Sequence, residues 1–306
     1  MQLLVSTGSF PWLPLGERFR LIRQAGADGA ELLLTPRLAK RDPRSIVRLA
    51  ALQNTPIYSV HTTLRLRSPS PHTEASDVIE SARFAAALPD CRVLIVHPPV
   101  QRGQIGSWLA AIAEATRILG SRVAIGLENP GQHQPTDRPI PFDSLEYLMR
   151  FAEEWQLGVV FDTAHAASLG WDILATLQTC LPRLVNIHLS DATDTDWRLG
   201  ILNSLLRDHR LPGQGTLPLT SLLHLLRRKG YRGFVTLELS PLRLLSLRPS
   251  TVQRRLATAV EFARHGISER APQRSRPSSG DSAQTNWGAA LRLSHRNGMN
   301  NMSSSR

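Results

Sequence analysis

Six short apolar runs each end on a residue able to ligate a metal ion. They are Ile57-Tyr58-Ser59-Val60-His61, Val93-Leu94-Ile95-Val96-His97, Val123-Ala124-Ile125-Gly126-Leu127-Glu128, Val159-Val160-Phe161-Asp162, Leu184-Val185-Asn186-Ile187-His188 and Phe234-Val235-Thr236-Leu237-Glu238. Imidazoles and carboxylates drawn together from separate segments are what a divalent cation requires. A single histidine at such a position is ordinarily a hydrogen-bonded core residue. Its recurrence at successive run ends argues for a shared ion, because burying several unpaired polar groups together is costly. Glu238 stands between Leu237 and Leu239, where a carboxylate is costly without a cation. Other ligand types follow close behind: His165 three residues after Asp162, and Asp191 three residues after His188. The loop Arg207–Gly215 carries His209 and two glycines ahead of a helix, where backbone N–H groups are able to cradle a phosphate or carboxylate.

The elements that would position these residues alternate strand and helix eight times. Strands are expected at Leu3–Thr7, Gly29–Leu34, Pro56–His61, Arg92–His97, Val123–Glu128, Leu157–Asp162, Leu184–His188 and Gly233–Leu239. The apolar runs are short and nearly continuous, the pattern of parallel strands buried on both faces. Helical segments are expected near Leu15–Ala25, Pro43–Gln53, Thr73–Ala87, Ile105–Leu119, Phe142–Trp155, Trp171–Leu181, Leu217–Lys229 and Ser250–His265. This is an α/β chain, and the size matches a (β/α)8 TIM barrel over residues 1–266. A doubly wound open sheet is the rival architecture. It does not explain why ligand types recur at the ends of strands three to eight, whereas a closed barrel gathers those ends into one mouth. Residues 267–306 are polar and rich in Ser, Pro and Arg, and are expected to be a disordered tail without an assigned role.

Composition narrows the function classes. The net charge of +11 divides into about +4 in the tail and about +7 elsewhere, and the basic residues are almost all Arg. Such a charge suits phosphorylated sugars or nucleic acid, or serves solubility alone. The apolar runs are strand-sized, so no membrane span is expected. No basic leader precedes the first apolar run, and Cys91 and Cys180 make no disulfide framework, so the cytoplasm is the expected location. The only lysines, Lys40 and Lys229, lie in or beside helices, which argues against Schiff-base chemistry.

The ordered set His61, His97-Pro98, Glu128-Asn129, Asp162-Thr163-Ala164-His165, His188-Leu189-Ser190-Asp191, His209 with Pro212-Gly213-Gln214-Gly215, and Glu238 resembles the xylose-isomerase-like barrel superfamily. That group includes sugar isomerases, ketose epimerases, inosose-processing enzymes and endonuclease IV. The resemblance implies one divalent ion (Mn, Mg, Co or Zn) held by Glu128, Asp162, His188 and Glu238. In the epimerase branch Glu128 and Glu238 would also carry the proton. The same resemblance assigns His165 to a substrate hydroxyl and Arg198 to a distal hydroxyl or phosphate. His61, His97, His165, His209 and Asp191 then form a second tier for a further metal or for substrate. The expected partner is a sugar, a sugar phosphate or a polyol-derived ketone, and a homo-oligomer is compatible with the chain.

The endonuclease IV branch, with three zinc ions and abasic DNA as substrate, is the alternative. Arg207 stands where that branch has an aspartate two residues before the last histidine, and Asp208 is displaced by one position. A guanidinium there opposes a third zinc ion. No aromatic-plus-basic insertion for wedging a duplex apart is evident. A barrel that binds a sugar without turning it over is the third reading.

Overall fold

The computed structural model describes residues 1–63, 71–99, 102–131, 141–194, 207–245 and 248–268. Eight parallel strands close into one barrel in the order β1 to β8, with β8 pairing back onto β1. They are β1 (Gln2–Ser6), β2 (Gly29–Leu33), β3 (Ile57–His61), β4 (Val93–Val96), β5 (Ala124–Glu128), β6 (Gly158–Asp162), β7 (Leu184–Leu189) and β8 (Phe234–Leu237). The closed barrel, and not the open sheet, is therefore the architecture.

Helices connect the strands on the outside: α1 (Leu15–Gln24), α2 (Pro36–Ala39), α3 (Pro43–Leu52), α4 (Pro71–Ala86), α5 (Ile105–Leu119) and α6 (Leu145–Glu154). They continue with α7 (Thr163–Ser168), α8 (Ile173–Cys180), α9 (Leu219–Arg228), α10 (Pro241–Leu244) and α11 (Pro249–Ser268). The last helix ends at Ser268, with Ile267 packed on the core. The expected disordered tail otherwise lies outside the described residues, as does Arg198.

Side-chain alternation divides the strands between two cores. Leu94, Val96, Val159, Phe161, Ile187, Val235 and Leu237 point outward into the layer shared with the helices. Leu4, Val93, Ile95, Val160 and Phe234 pack together in a separate apolar cluster, with Tyr58 and Val185 against it. That cluster fills the barrel interior. Gly126 belongs to the inward set: a Cβ there would come within 2.6 Å of Val160 Cγ2 and 3.0 Å of Val185 Cγ2.

The period of two then decides where the chemistry sits. Two residues on from inward Ser59, Ile95, Gly126, Val160, Asn186 and Thr236 come His61, His97, Glu128, Asp162, His188 and Glu238. Pairing brings the ends level, since Asp162 is in register with His188 and His188 with Thr236. The ligand types therefore converge over the carboxyl ends of the strands, where barrels of this kind place their sites.

Candidate active site

Glu128, Asp162, His188 and Glu238 each offer a ligand atom within one group whose members lie within 4.8 Å of one another. Glu128, Asp162 and His188 are fully buried, whereas the Glu238 side chain is 24% exposed at the mouth. The imidazole Nδ1 of His188 is the hub. It lies 2.9 Å from Glu128 Oε1, 2.6 Å from Glu238 Oε2 and 3.8 Å from Asp162 Oδ2. Its hydrogen bond goes to Glu128, and neither Glu238 Oε2 nor Asp162 Oδ2 has a hydrogen-bond partner among the described residues. Three carboxylates thus converge on one imidazole nitrogen, with two buried acceptor oxygens left over. A divalent cation fits that arrangement: it would satisfy both orphaned oxygens and offset the excess negative charge.

Asp162 is held for this by a local device. Its Oδ1 accepts the His165 N–H at 2.7 Å and so caps α7, which leaves Oδ2 facing the cluster. The Asp-Thr-Ala-His spacing is that of an N-cap and the third helical residue. Asn129 ties the neighbouring strand ends together: its Oδ1 accepts Asp162 N–H at 2.7 Å and its Nδ2 donates to Asp162 O at 3.2 Å. Its own carbonyl accepts from His165 Nδ1 at 3.1 Å.

Glu128 faces two ways. While Oε1 meets His188, Oε2 lies 2.8 Å from His97 Nε2 and 3.2 Å from His61 Nε2. His61, His97 and Glu128 form a second possible ligand group, which shares Glu128 with the first. His165 and His209 meet edge to face at 5.3 Å and form a third with Asp162. His209 adopts a left-handed φ of 50° and its Nδ1 lies 3.3 Å from Ser190 Oγ.

The electrostatics follow from this crowding. Burial disfavours the charged carboxylate of Glu128, yet the charges of His188 and His97 and the hydrogen bonds from His188 and His61 hold it well below the usual range. Burial likewise opposes protonation of His61, but the Glu128 hydrogen bond and charge raise it to about 9. His188 and His165 move upward for the same reason, with Glu31 and Glu128 leading for His188 and Asp162 for His165. Glu238 is lowered, against its burial, chiefly by His188. Without an ion His61, His165 and His188 thus hold protons more tightly, as counter-charges to the carboxylates.

Asp191 and the glycine-rich loop meet each other, outside the ligand groups. Asp191 is spent on the backbone: Oδ2 accepts from Gly213 N and Gly215 N at 2.9 Å each, and Oδ1 from Ala192 N at 3.0 Å and Leu217 N at 3.1 Å. With four N–H partners it organises the loop and falls in none of the ligand groups. The glycine-rich loop thus cradles a carboxylate, the chain's own. A Cβ at Gly215 would stand 2.3 Å from Asp191 Oδ1, so only glycine fits. Arg207, in turn, is paired with Asp208 through bonds of 2.7 and 3.0 Å, which occupies both oxygens of Asp208.

One residue was not anticipated. Glu31, in the middle of β2, is fully buried inside the barrel and its Oε2 lies 3.2 Å from His188 Nε2. Its signal was a carboxylate in an apolar run, Gly29-Ala30-Glu31-Leu32-Leu33, the same one that marked Glu238.

A family model described as xylose isomerase-like TIM barrel matches residues 19–261. The chain belongs to that family. Among curated proteins, an uncharacterized protein of Mycobacterium leprae is 26% identical over 85% of this chain and 95% of its own length. An inosose isomerase of Halalkalibacterium halodurans is 26% identical over 55% of this chain and 58% of its own. Among solved structures, D-psicose 3-epimerase of Clostridium cellulolyticum H10, crystallised with D-tagatose, superposes with a TM-score of 0.65. It is 14% identical, with 87% of this chain and 99% of that chain covered, and so shows the shared fold. The family's barrel thus occurs in sugar epimerases and isomerases, and this chain carries residue groups able to hold a metal ion. No helix among the described residues is long and apolar enough to cross a membrane.

Proposed function

We propose that the protein is a divalent-metal-dependent isomerase or epimerase acting on a sugar, a sugar phosphate or a related polyol ketone. The observation that carries this reading is the convergence of Glu128, Asp162, Glu238 and His188, with Asp162 Oδ2 and Glu238 Oε2 buried and without hydrogen-bond partners. These four residues would hold the ion, whose identity among Mn, Mg, Co and Zn the ligand set leaves open. When bound, the ion supplies Lewis acidity to adjacent sugar oxygens and so makes the C–H bond between them more acidic.

Glu128 and Glu238 arrive from non-adjacent strands and are the groups able to take and return that proton, one from each side. In the metal-free protein His188 holds both below the ordinary carboxylate range, so both are ionised before an ion binds. His97 and His165 stand at the same mouth, 37% and 15% exposed, where they would contact substrate hydroxyls. Arg198 is retained as a proposed distal contact on the strength of the resemblance alone. The barrel over residues 1–266 is proposed to be the whole catalytic unit. The epimerase and isomerase relatives supply the substrate class, and the chain's own residues supply the chemistry.

A second reading draws on the two-sided placement of Glu128. A carboxylate with His188 on one oxygen and His61 and His97 on the other could bridge two ions, as a zinc phosphodiesterase acting on abasic DNA would require. Arg207, beside His209, is neutralised by its pair with Asp208, and Asp162, His165 and His209 form the third possible ligand group.

The test is proton exchange. Metal-loaded protein incubated in deuterated water with a panel of ketoses and inososes is expected to place deuterium at the carbon next to the carbonyl of one of them. Tight sugar binding without exchange supports a non-catalytic barrel instead. Incision of an abasic duplex without sugar exchange supports the phosphodiesterase.

A further inference from the structure

We infer that Glu31 is the positioning residue that selects Nδ1 of His188 as the metal-binding nitrogen, an inference that rests on the proposed metal site. His188 has no freedom of access to water: it is fully buried, and each ring nitrogen meets a carboxylate. Nδ1 points at the Glu128, Asp162 and Glu238 cluster, and Nε2 lies 3.2 Å from Glu31 Oε2. A carboxylate cannot donate, so Nε2 carries its hydrogen toward Glu31. Nδ1 likewise carries a hydrogen toward Glu128 in the metal-free protein, and an ion among Glu128, Asp162 and Glu238 would displace that hydrogen while the one held by Glu31 stays, leaving the Nδ1 lone pair for the ion. A carboxylate behind a ligating imidazole also makes the ligand more basic, which strengthens the bond to the metal.

Glu31 is itself fixed by donors from two further strands, β3 and β7, and the β7 donor is held in turn from β8. Ser59 Oγ donates to its Oε2 at 2.8 Å and Asn186 Nδ2 at 3.1 Å, while Asn186 Oδ1 accepts from Thr236 Oγ1 at 3.0 Å. All these side chains are fully buried. They form a polar layer between the apolar barrel interior and the metal-ligand cluster. Glu31 Oε1 is buried with no hydrogen-bond partner among the described residues, so the carboxylate sits there at a cost. A role confined to packing would be better served by a leucine. The imidazole it orients is what the placement secures.

The experiment uses zinc alone with protein labelled with nitrogen-15 at histidine. Long-range proton–nitrogen spectra of the zinc-loaded wild type should show His188 protonated at Nε2 and coordinated through Nδ1. Zinc affinity, measured by competition with a chelator, should fall about 10-fold in Glu31→Gln, which keeps the acceptor but loses the charge. It should fall about 100-fold in Glu31→Leu, which also loses the acceptor. Coordination through Nε2, or affinities within twofold of wild type in both variants, overturns the inference while leaving the metal site standing. Failure of the wild type to bind zinc overturns the metal site and the inference together. Should a variant not fold, the wild-type spectrum decides on its own.

Discussion

Replacing Asp162 by Asn separates the structural and metal-binding roles of one side chain. Asp162 Oδ1 caps α7 through the His165 N–H, and an asparagine oxygen caps a helix about as well, so that contact should survive within a few tenths of a kcal/mol. What changes is Oδ2, the buried oxygen with no hydrogen-bond partner, which becomes an amide nitrogen. In the metal-free protein this removes one of three crowded negative charges, so unfolding should occur at the wild-type temperature or slightly above. In the metal-loaded protein it removes an anionic partner from a buried ion, a loss of about 3–5 kcal/mol. Zinc or manganese affinity should therefore drop roughly 100- to 5000-fold, at about 1.4 kcal/mol per tenfold. Asp162→Ala should lose the same affinity and about 1 kcal/mol of cap energy besides. Calorimetric titration of each variant, with thermal unfolding in a chelator and in excess metal, reads both effects. Wild-type metal affinity in Asp162→Asn would refute the reasoning. So would a metal-free form destabilised as much as Asp162→Ala.

Glu238→Gln should fold, retain metal weakly and lose proton exchange by at least about 100-fold, the low end for a general acid–base group; full exchange activity would remove Glu238 from the mechanism. His61 sets a pH dependence. Its pKa is raised from 6.5 to about 9 in the fold, so its contribution is fully present below about pH 6.5 and is lost as pH rises through about 9. That rise corresponds to roughly 3 kcal/mol, and the melting temperature of the metal-free protein should fall between pH 6.5 and 9.5; a fall of the same size in His61→Gln would contradict this assignment. Burial pushes both Cys91 and Cys180 up to about 12, so neither should react with a thiol reagent at pH 8 until the barrel unfolds; rapid labelling of the native protein would show that one is accessible.

The barrel was legible because strands buried on both faces carry continuous apolar runs, and all eight expected strands overlap the observed ones. The ligand ends were legible because alternation in a parallel barrel sends every second residue inward. Glu31 lies inside its run and not at its end, so the pattern that marks the rim does not mark it. Its partners, Asn186 and His188, are distant in sequence and are brought close only by barrel closure. The pairing of Asp191 with the glycine loop is hidden in the sequence for a related reason. Backbone N–H groups at a helix start attract an anion, and the chain alone does not reveal that the anion is its own side chain. The six-residue α7 gave no periodic signal, yet it explains the spacing of Asp162 and His165.

The metal content of the purified protein, counted as ions per chain and repeated on Asp162→Asn, tests the central claim most directly. One ion per chain is expected in wild type, and none in the variant. No ion in wild type, or retention in Asp162→Asn, would contradict it. Two or three ions per chain would contradict the single-ion reading and favour the phosphodiesterase.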